Sequence, residues 1–441
     1  MKRKEIDGLL KTAQFVVAEA NRLGATACDV TIKIDRSVST DIRLGQVETL
    51  NGADSITLSF RAFIDQRRAT MTSSDIRRAS LTKLVRDTIS MAREMQPDPF
   101  AGLPDAQYLA TNSIDYDCGA EEIAAMPVEA KIELAMRTEK AALAVDHRIS
   151  VGDTTSFADG TNYTVYANSL GFAGGYGSTV LSLSTDVVAK GSGSLQGGQW
   201  YSISQTLAKL ESPEAIGRIA SERALRSLGA RKMPSQKVPV VFDPLMAAAL
   251  VRQFISAASG SAIYTKRSFL LDKLDQLVAS NVTIIDDALM PDGLRSKPFD
   301  SEGLPTGKRV LVDAGKLSMY YMDSYAARKL NCAPNGGSLT NLYLAAGTQT
   351  PEEIIASVEN GLYLTKVSGN GLNPVTGDYS VGASGLWIEN GRLVFPVEGI
   401  TIAGNLLDMF QNIDAVGNDL SFSFSTNAPT IKFASMVVAG Q

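Results

Sequence analysis

The sequence predicts an α+β protein. An N-terminal helix-plus-antiparallel-sheet domain spans residues 1–232, and a β-rich C-terminal domain, barrel or sandwich-like around a central helix, spans 233–441. Three observations carry this. Apolar residues fall at helical spacing in some stretches and at alternating spacing in others. At 441 residues the chain exceeds what one ordinary core serves. A polar, proline-broken run, RKMPSQKVP from Arg231, lies between two halves of different character.

Ile6, Leu9, Leu10, Ala13, Val16, Val17, Ala20 and Leu23 mark one face of a first helix, which Gly24 ends. Val30, Ile32 and Ile34 alternate with polar residues, as do Ile56, Leu58, Phe60, Ala62 and Ile64. These are strands with one wet face, joined across the turn LGQ. Asp75 is placed to cap a helix over 76–95, whose RRASLTKLVR segment (77–86) reads as a solvated face. Residues 96–127 read as a long connection and 128–145 as a helix. SVGDTTSFADG, NYTVYAN, GSTVLSLSTDVVAKG and WYSISQTLAKL follow, a meander broken by Gly-rich turns. The next helix is fully punctuated: Ser212 at the N-cap, Pro213 first, Gly229 after the end.

The second half opens with the strand PVVF and then DPLMAAALVRQFISAASG (243–260). Asp243 caps this central helix, Pro244 starts it and Gly260 stops it. VTIID, RVLVDAG, KLSMYYM, GLYLTKV, GLWIENGRLVFPV and IKFASMVVAG read as strands, with short helices near 351–360 and 403–411. Such a half folds as a barrel or sandwich.

Composition excludes more chemistry than it offers. A net charge of -5 implies no polyanion-binding surface, so no direct nucleic-acid partner is expected. The N-terminus lacks a signal peptide's apolar core, no window of about 18 apolar residues suggests a membrane span, and three cysteines far apart fit reduced thiols; a cytoplasmic location is expected. His147 is the one histidine, which rules out a two-histidine zinc helix; after a helix end it reads as capping chemistry. Cys332 has no evident base and reads as an inert thiol. No P-loop, dinucleotide fingerprint or nucleophile elbow occurs, and GSGSLQGG (191–198) reads as a flexible loop. Asp286 and Asp287, or Asp408, Asp414 and Asp419, are candidates for an oxygen-only cation site, with scattered turn acids the commoner reading. The Gly- and Asn-rich run around 368–391 suits a groove that takes an extended peptide by strand addition, with Asn373, Asp378, Tyr379 and Ser380 as candidate contacts.

FDSEGLPT (299–306), SYAARKL (324–330), GLNPVTGDYSVGASGLWIENG (371–391), FPVEGITIAGNLLDMF (395–410) and the closing VVAGQ occur in this order. On these motifs the chain resembles, over nearly its whole length, the PmbA/TldE–TldD family, often called modulators of DNA gyrase. The resemblance implies a two-domain α+β protein. Its TldD-type member is a zinc-dependent peptidase with a HExxxH helix and a cysteine near the C-terminus. That member pairs with a PmbA/TldE-type subunit lacking these ligands, and together they degrade unfolded or extended peptides. Anchored on Gly260, the family's metal positions fall on Val251, Arg252 and Ser256, and the cysteine's place near AVGNDLS (415–421) holds none. Zinc hydrolysis needs three ligands and an open position, which these residues do not supply.

The resemblance therefore implies a PmbA/TldE-type subunit with no cofactor of its own and zinc in a TldD-type partner. It would support that partner and shape a peptide channel, with a homodimer as the alternative when alone. Two other readings stand beside it. One is an independent peptidase with a non-zinc site at Asp378, Tyr379 and Ser380. The other is a gyrase-modulating binding protein.

Overall fold

The computed structural model describes residues 2–111, 123 and 125–440. The first sheet is a six-stranded antiparallel ribbon in the order β3-β2-β1-β4-β5-β6. Its strands are β1 (Ala27–Arg43), β2 (Gln46–Ile64), β3 (Arg67–Ser73), β4 (Ile149–Asn168), β5 (Ala173–Lys190) and β6 (Leu195–Ser204). Long strands let two pairs of helices share one face. Helices α1 (Lys2–Arg22) and α2 (Arg78–Glu94) bury Leu9, Val16, Leu81, Val85 and Ile89 against Val30, Phe60 and Val165. Helices α3 (Val128–Leu143) and α4 (Pro213–Leu225) cover the other end through Ala135, Ile216, Ala220 and Ala224 over Phe157, Leu183 and Val187.

That sheet departs from the sequence expectation at four points. β3 has no clear signature in the sequence; its alternation is weak because it is an edge strand with few buried positions. Asp75 does not cap α2: Arg77 is the N-cap residue, and the Asp75 carboxylate instead accepts from the Arg77 amide (2.9 Å) and the Ser80 hydroxyl (2.6 Å). SVGDTTSFADG and NYTVYAN form one strand, because Gly160 pairs in register with Ser37 and Val180 and makes no turn. Only 191–194 of GSGSLQGG is the loop; Gly198 lies in β6, where an added Cβ would sit 2.2 Å from the Ala220 carbonyl of α4.

In the second half, β7 (Gln236–Phe242), β12 (Asn360–Ser368), β13 (Asp378–Glu389), β14 (Arg392–Asn405) and β17 (Ile431–Ala439) pair in a ring, because β17 joins both β7 and β14. The barrel expectation holds. β15 (Ile413–Val416) extends β17 outside the ring. A smaller sheet, β10-β9-β8-β11-β16, is built from β8 (Ile284–Asp287), β9 (Lys308–Asp313), β10 (Lys316–Leu317), β11 (Leu342–Leu344) and β16 (Thr426–Asn427). KLSMYYM thus supplies only a two-residue strand. Between the two sheets runs the central helix α5 (Pro244–Ser256). Phe254 stacks on Phe410 at 3.9 Å, and Phe410 and Phe242 both meet Phe433, so one apolar core spans helix and barrel.

The two halves are locked by the motifs 299–306 and 324–330. Phe299 meets Phe172 and Tyr176 of the first half edge-on at 5.1 and 5.3 Å. Arg328 reaches the carbonyls of Phe100, Gly102 and Leu103, and the Tyr325 hydroxyl donates to Asp98 (2.9 Å). No helix among the described residues is long and apolar enough to cross a membrane.

Candidate functional site

α5 is specified locally. Asp243 accepts from the Met246 amide at 2.9 Å, and Pro244 starts the helix where no N–H is needed. Asp243 is itself buried, which raises its carboxyl above the ordinary range, while Arg223 and Arg226 oppose the shift. The helix ends at Ser256, and Gly260 does not stop it: Gly260 opens a short helix, α6 (Gly260–Tyr264), and has no positive φ. Its lack of a side chain serves close approach, since a Cβ there would lie 2.6 Å from Ala326 Cβ and 2.7 Å from the Tyr321 carbonyl.

Ala247, Leu250, Val251, Phe254 and Ile255 are buried, whereas Ala249, Arg252 and Ser256 are exposed. Of the three positions implied as a lost metal site, Val251 therefore points into the core. Arg252 and Ser256, four apart on one face, line a cavity of about 360 Å³. The rest of that cavity comes from Ile255, Ser259, Arg295, Tyr321, the 337–340 segment, Ser425 and Thr426. The residues do not fit a zinc ion. Valine has no donor atom, guanidinium is a cation, and the Ser256 hydroxyl donates to the Gln253 carbonyl (2.7 Å). In 415–421, Asp419 is engaged by the Thr430 amide and hydroxyl at 2.9 and 2.8 Å.

Beneath the cavity sits a buried polar network. Asp286, fully out of solvent, receives Arg309 at 2.6 Å and both the amide and hydroxyl of Thr340 at 2.7 Å. Arg309 also donates to the carbonyls of Asn335, Gly336 and Ser338 and lies 4.9 Å over the Tyr321 ring. Asp414 pairs with Lys432. Asp286, Asp287, Asp414 and Asp419 are thus separately engaged, and among the described residues no three His, Cys, Asp or Glu side chains gather to hold a metal.

Of the candidate groove residues, Asn373 lies in the loop before β13 and Asp378, Tyr379 and Ser380 open that strand. Asn373 exchanges backbone bonds with Asp378 and Gly377 (2.8 Å each), and its side chain caps the Val375 amide. Asp378 is exposed and accepts from Thr376 and Asn405, which hold its carboxyl below the usual range and make it a poor base. Tyr379 is core; burial pushes its phenol up to about 12. Ser380 is exposed, its amide bonded to the Gly371 carbonyl. His147 is solvent-facing beside Asp146 (3.3 Å) and is not among the residues that line the cavity. Cys332 is exposed, with partial burial raising its thiol, and Cys28 is buried and pushed up to about 12. Cys118 lies outside the described residues. Sequence reasoning missed Arg295, Tyr321, 337–340, Ser425 and Thr426, which come from four separate segments and share no local pattern.

Comparison with known proteins gives a consistent result. Residues 28–92, 121–228 and 235–440 match the models of domain 1, the central domain and the C-terminal domain of the PmbA/TldA metallopeptidases. The chain is 34% identical to Metalloprotease PmbA of Escherichia coli O157:H7, covering 99% of this chain and 98% of the relative. It is 32% identical to the PmbA homologue of Haemophilus influenzae, covering 98% and 96%. Among solved structures, a Bacteroides thetaiotaomicron protein named a candidate modulator of DNA gyrase superposes with a TM-score of 0.92 at 30% identity, covering 98% of both chains. TldE of Thermococcus kodakarensis shares the fold, with a TM-score of 0.87 at 19% identity over 97% of this chain and all of that one.

Proposed function

Because the chain belongs to the PmbA/TldD metallopeptidase family, we propose that it is the PmbA/TldE-type, non-catalytic partner of a TldD-type zinc peptidase. One observation carries the reading. The central helix is capped and packed like a working scaffold, yet its implied ligand positions hold Val251, Arg252 and Ser256. The chain then stabilises the partner and lines the path of an extended or unfolded peptide in the cytoplasm. Zinc belongs to the partner, and the isolated chain is free to pair with itself.

Two measurements test this. Metal analysis of the purified chain is expected to find far less than one zinc per chain; one tightly held zinc sinks the proposal. Mixing with a TldD-type partner is expected to yield peptide cleavage that neither chain shows alone, and a partner as active by itself as in the pair counts against it. The independent-peptidase reading has little support from geometry, since the Asp378 carboxylate is held by Thr376 and Asn405 and Tyr379 is core. The gyrase reading draws nothing from the charge of -5.

A further inference from the structure

The cavity on the exposed face of α5 has an unusual charge inventory. Arg252 and Arg295 are its only charged lining residues, and the other lining side chains are hydroxyl-bearing or apolar. Neither guanidinium makes a hydrogen bond or ion pair with another described residue. The cations deeper in the wall are accounted for. Arg309 is matched by Asp286, and Lys297 donates to the Ser338 hydroxyl (2.9 Å) with Asp300 nearby. Burial pulls the Lys297 ammonium below its ordinary range, with Asp300 and Asp286 opposing the shift and Arg309 and Arg295 adding to it.

A second, independent feature points the same way. Tyr321 lines the cavity at 2% exposure, and its buried hydroxyl has no hydrogen-bond partner. Burial, with Asp286 adding to it, pushes that phenol far above its ordinary value, so it stays a hydroxyl with a proton to donate. A buried donor without an acceptor costs free energy that a ligand oxygen would recover. At about 360 Å³ the cavity falls within the small-ligand range of roughly 300–1,000 Å³.

We infer that this cavity is a carboxylate-binding subsite, in which Arg252 and Arg295 grip a peptide carboxylate and the Tyr321 hydroxyl donates to it. Guanidinium matches a carboxylate's two oxygens in plane, which a lysine would not. The carboxylate is either a peptide's C-terminus or an Asp or Glu side chain. The inference rests on the proposed function only in taking the ligand to be a peptide. The degenerate helix then holds a peptide end where a metal helix would cut one.

The test is fluorescence anisotropy on the full chain with three labelled peptides of Ala, Gly and Ser, each about eight residues long. One has a free C-terminal carboxylate, one is C-amidated with an internal Asp, and one is amidated without Asp. At least one carboxylate peptide is expected to bind about tenfold or more tightly than the neutral one, less so in high salt. Arg252→Gln and Arg295→Gln are each expected to weaken that binding about tenfold, and Tyr321→Phe about threefold. Which carboxylate peptide binds identifies the source. Equal binding of all three peptides, or arginine variants that melt and bind like the parent, overturns the inference. Cleavage by the mixed pair is scored separately. If the pair cleaves but the carboxylate preference is missing, only the subsite falls. If the preference holds and the pair is inert, only the partner role falls.

Discussion

Asp300 and Glu302 sit almost wholly out of water where the two halves meet, and burial is the main force raising both carboxyls. Asp300 Oδ1 takes the Glu302 and Leu304 amides at 2.8 and 2.9 Å, and its Oδ2 has no partner. A carboxyl raised in the fold keeps its proton where the unfolded chain has lost it. Its contribution is thus full below the ordinary values of 3.8 and 4.5 and is lost as pH rises through the folded values. Denaturant titrations carried upward from the ordinary carboxyl values of 3.8 and 4.5 are expected to show stability declining for this reason, with a shallower decline in Asp300→Asn. An unchanged slope would mean that Asp300 ionises in the fold as it does in the open chain. None of this is visible in FDSEGLPT, because acids between turn residues read as exposed and only the docking of β4 and β5 residues such as Tyr166 and Tyr176 buries them.

At the scale of elements, α5 shows which signals are readable in a sequence and which are not. Its cap is local, three residues from Asp243 to Met246, so the sequence announces it. The part played by Gly260 is set by Tyr321 and Ala326, more than sixty positions on, and a glycine after a helix mimics an ordinary stop. Gly260→Ala is therefore expected to cost about 1–3 kcal/mol by overpacking, where a left-handed cap would have cost strain instead. Phe254→Ala removes the ring stacked on Phe410 and is expected to cost about 3–5 kcal/mol, read as a fall in melting temperature. The strands show a similar limit. Gly160 reads as a turn between two runs, yet β1 and β5 pair straight across it, and pairing partners are not written in the strand itself.

For the molecule as a whole, what the sequence left hidden is assembly over distance. The α+β class and the barrel were legible from periodicity. The cavity was not, since its walls gather from 252–259, 295, 321, 337–340 and 425–426. The hold of Arg328 on three carbonyls of 100–103 was hidden for the same reason. That one side chain ties the connection between the first sheet's halves to the C-terminal domain. Arg328→Ala is expected to leave both cores folded while speeding protease cleavage in 97–111 severalfold; an unchanged cleavage rate would show that the Tyr325–Asp98 bond and Lys329 over the Phe100 ring at 4.0 Å hold the segment without it.

The ring of β7, β12, β13, β14 and β17 has a consequence for how the protein is made. β17, the last strand, fills the gap between β7 and β14. On the ribosome, β7 and β14 present bare backbone edges until Ile431–Ala439 has left the exit tunnel, roughly two hundred residues after β7 was synthesised. A nascent chain stalled before residue 431 would carry two sticky edges and an apolar interior with no lid. A chain truncated between β14 and residue 431 should thus be far less soluble than one truncated just after residue 230, which carries every strand of the first sheet.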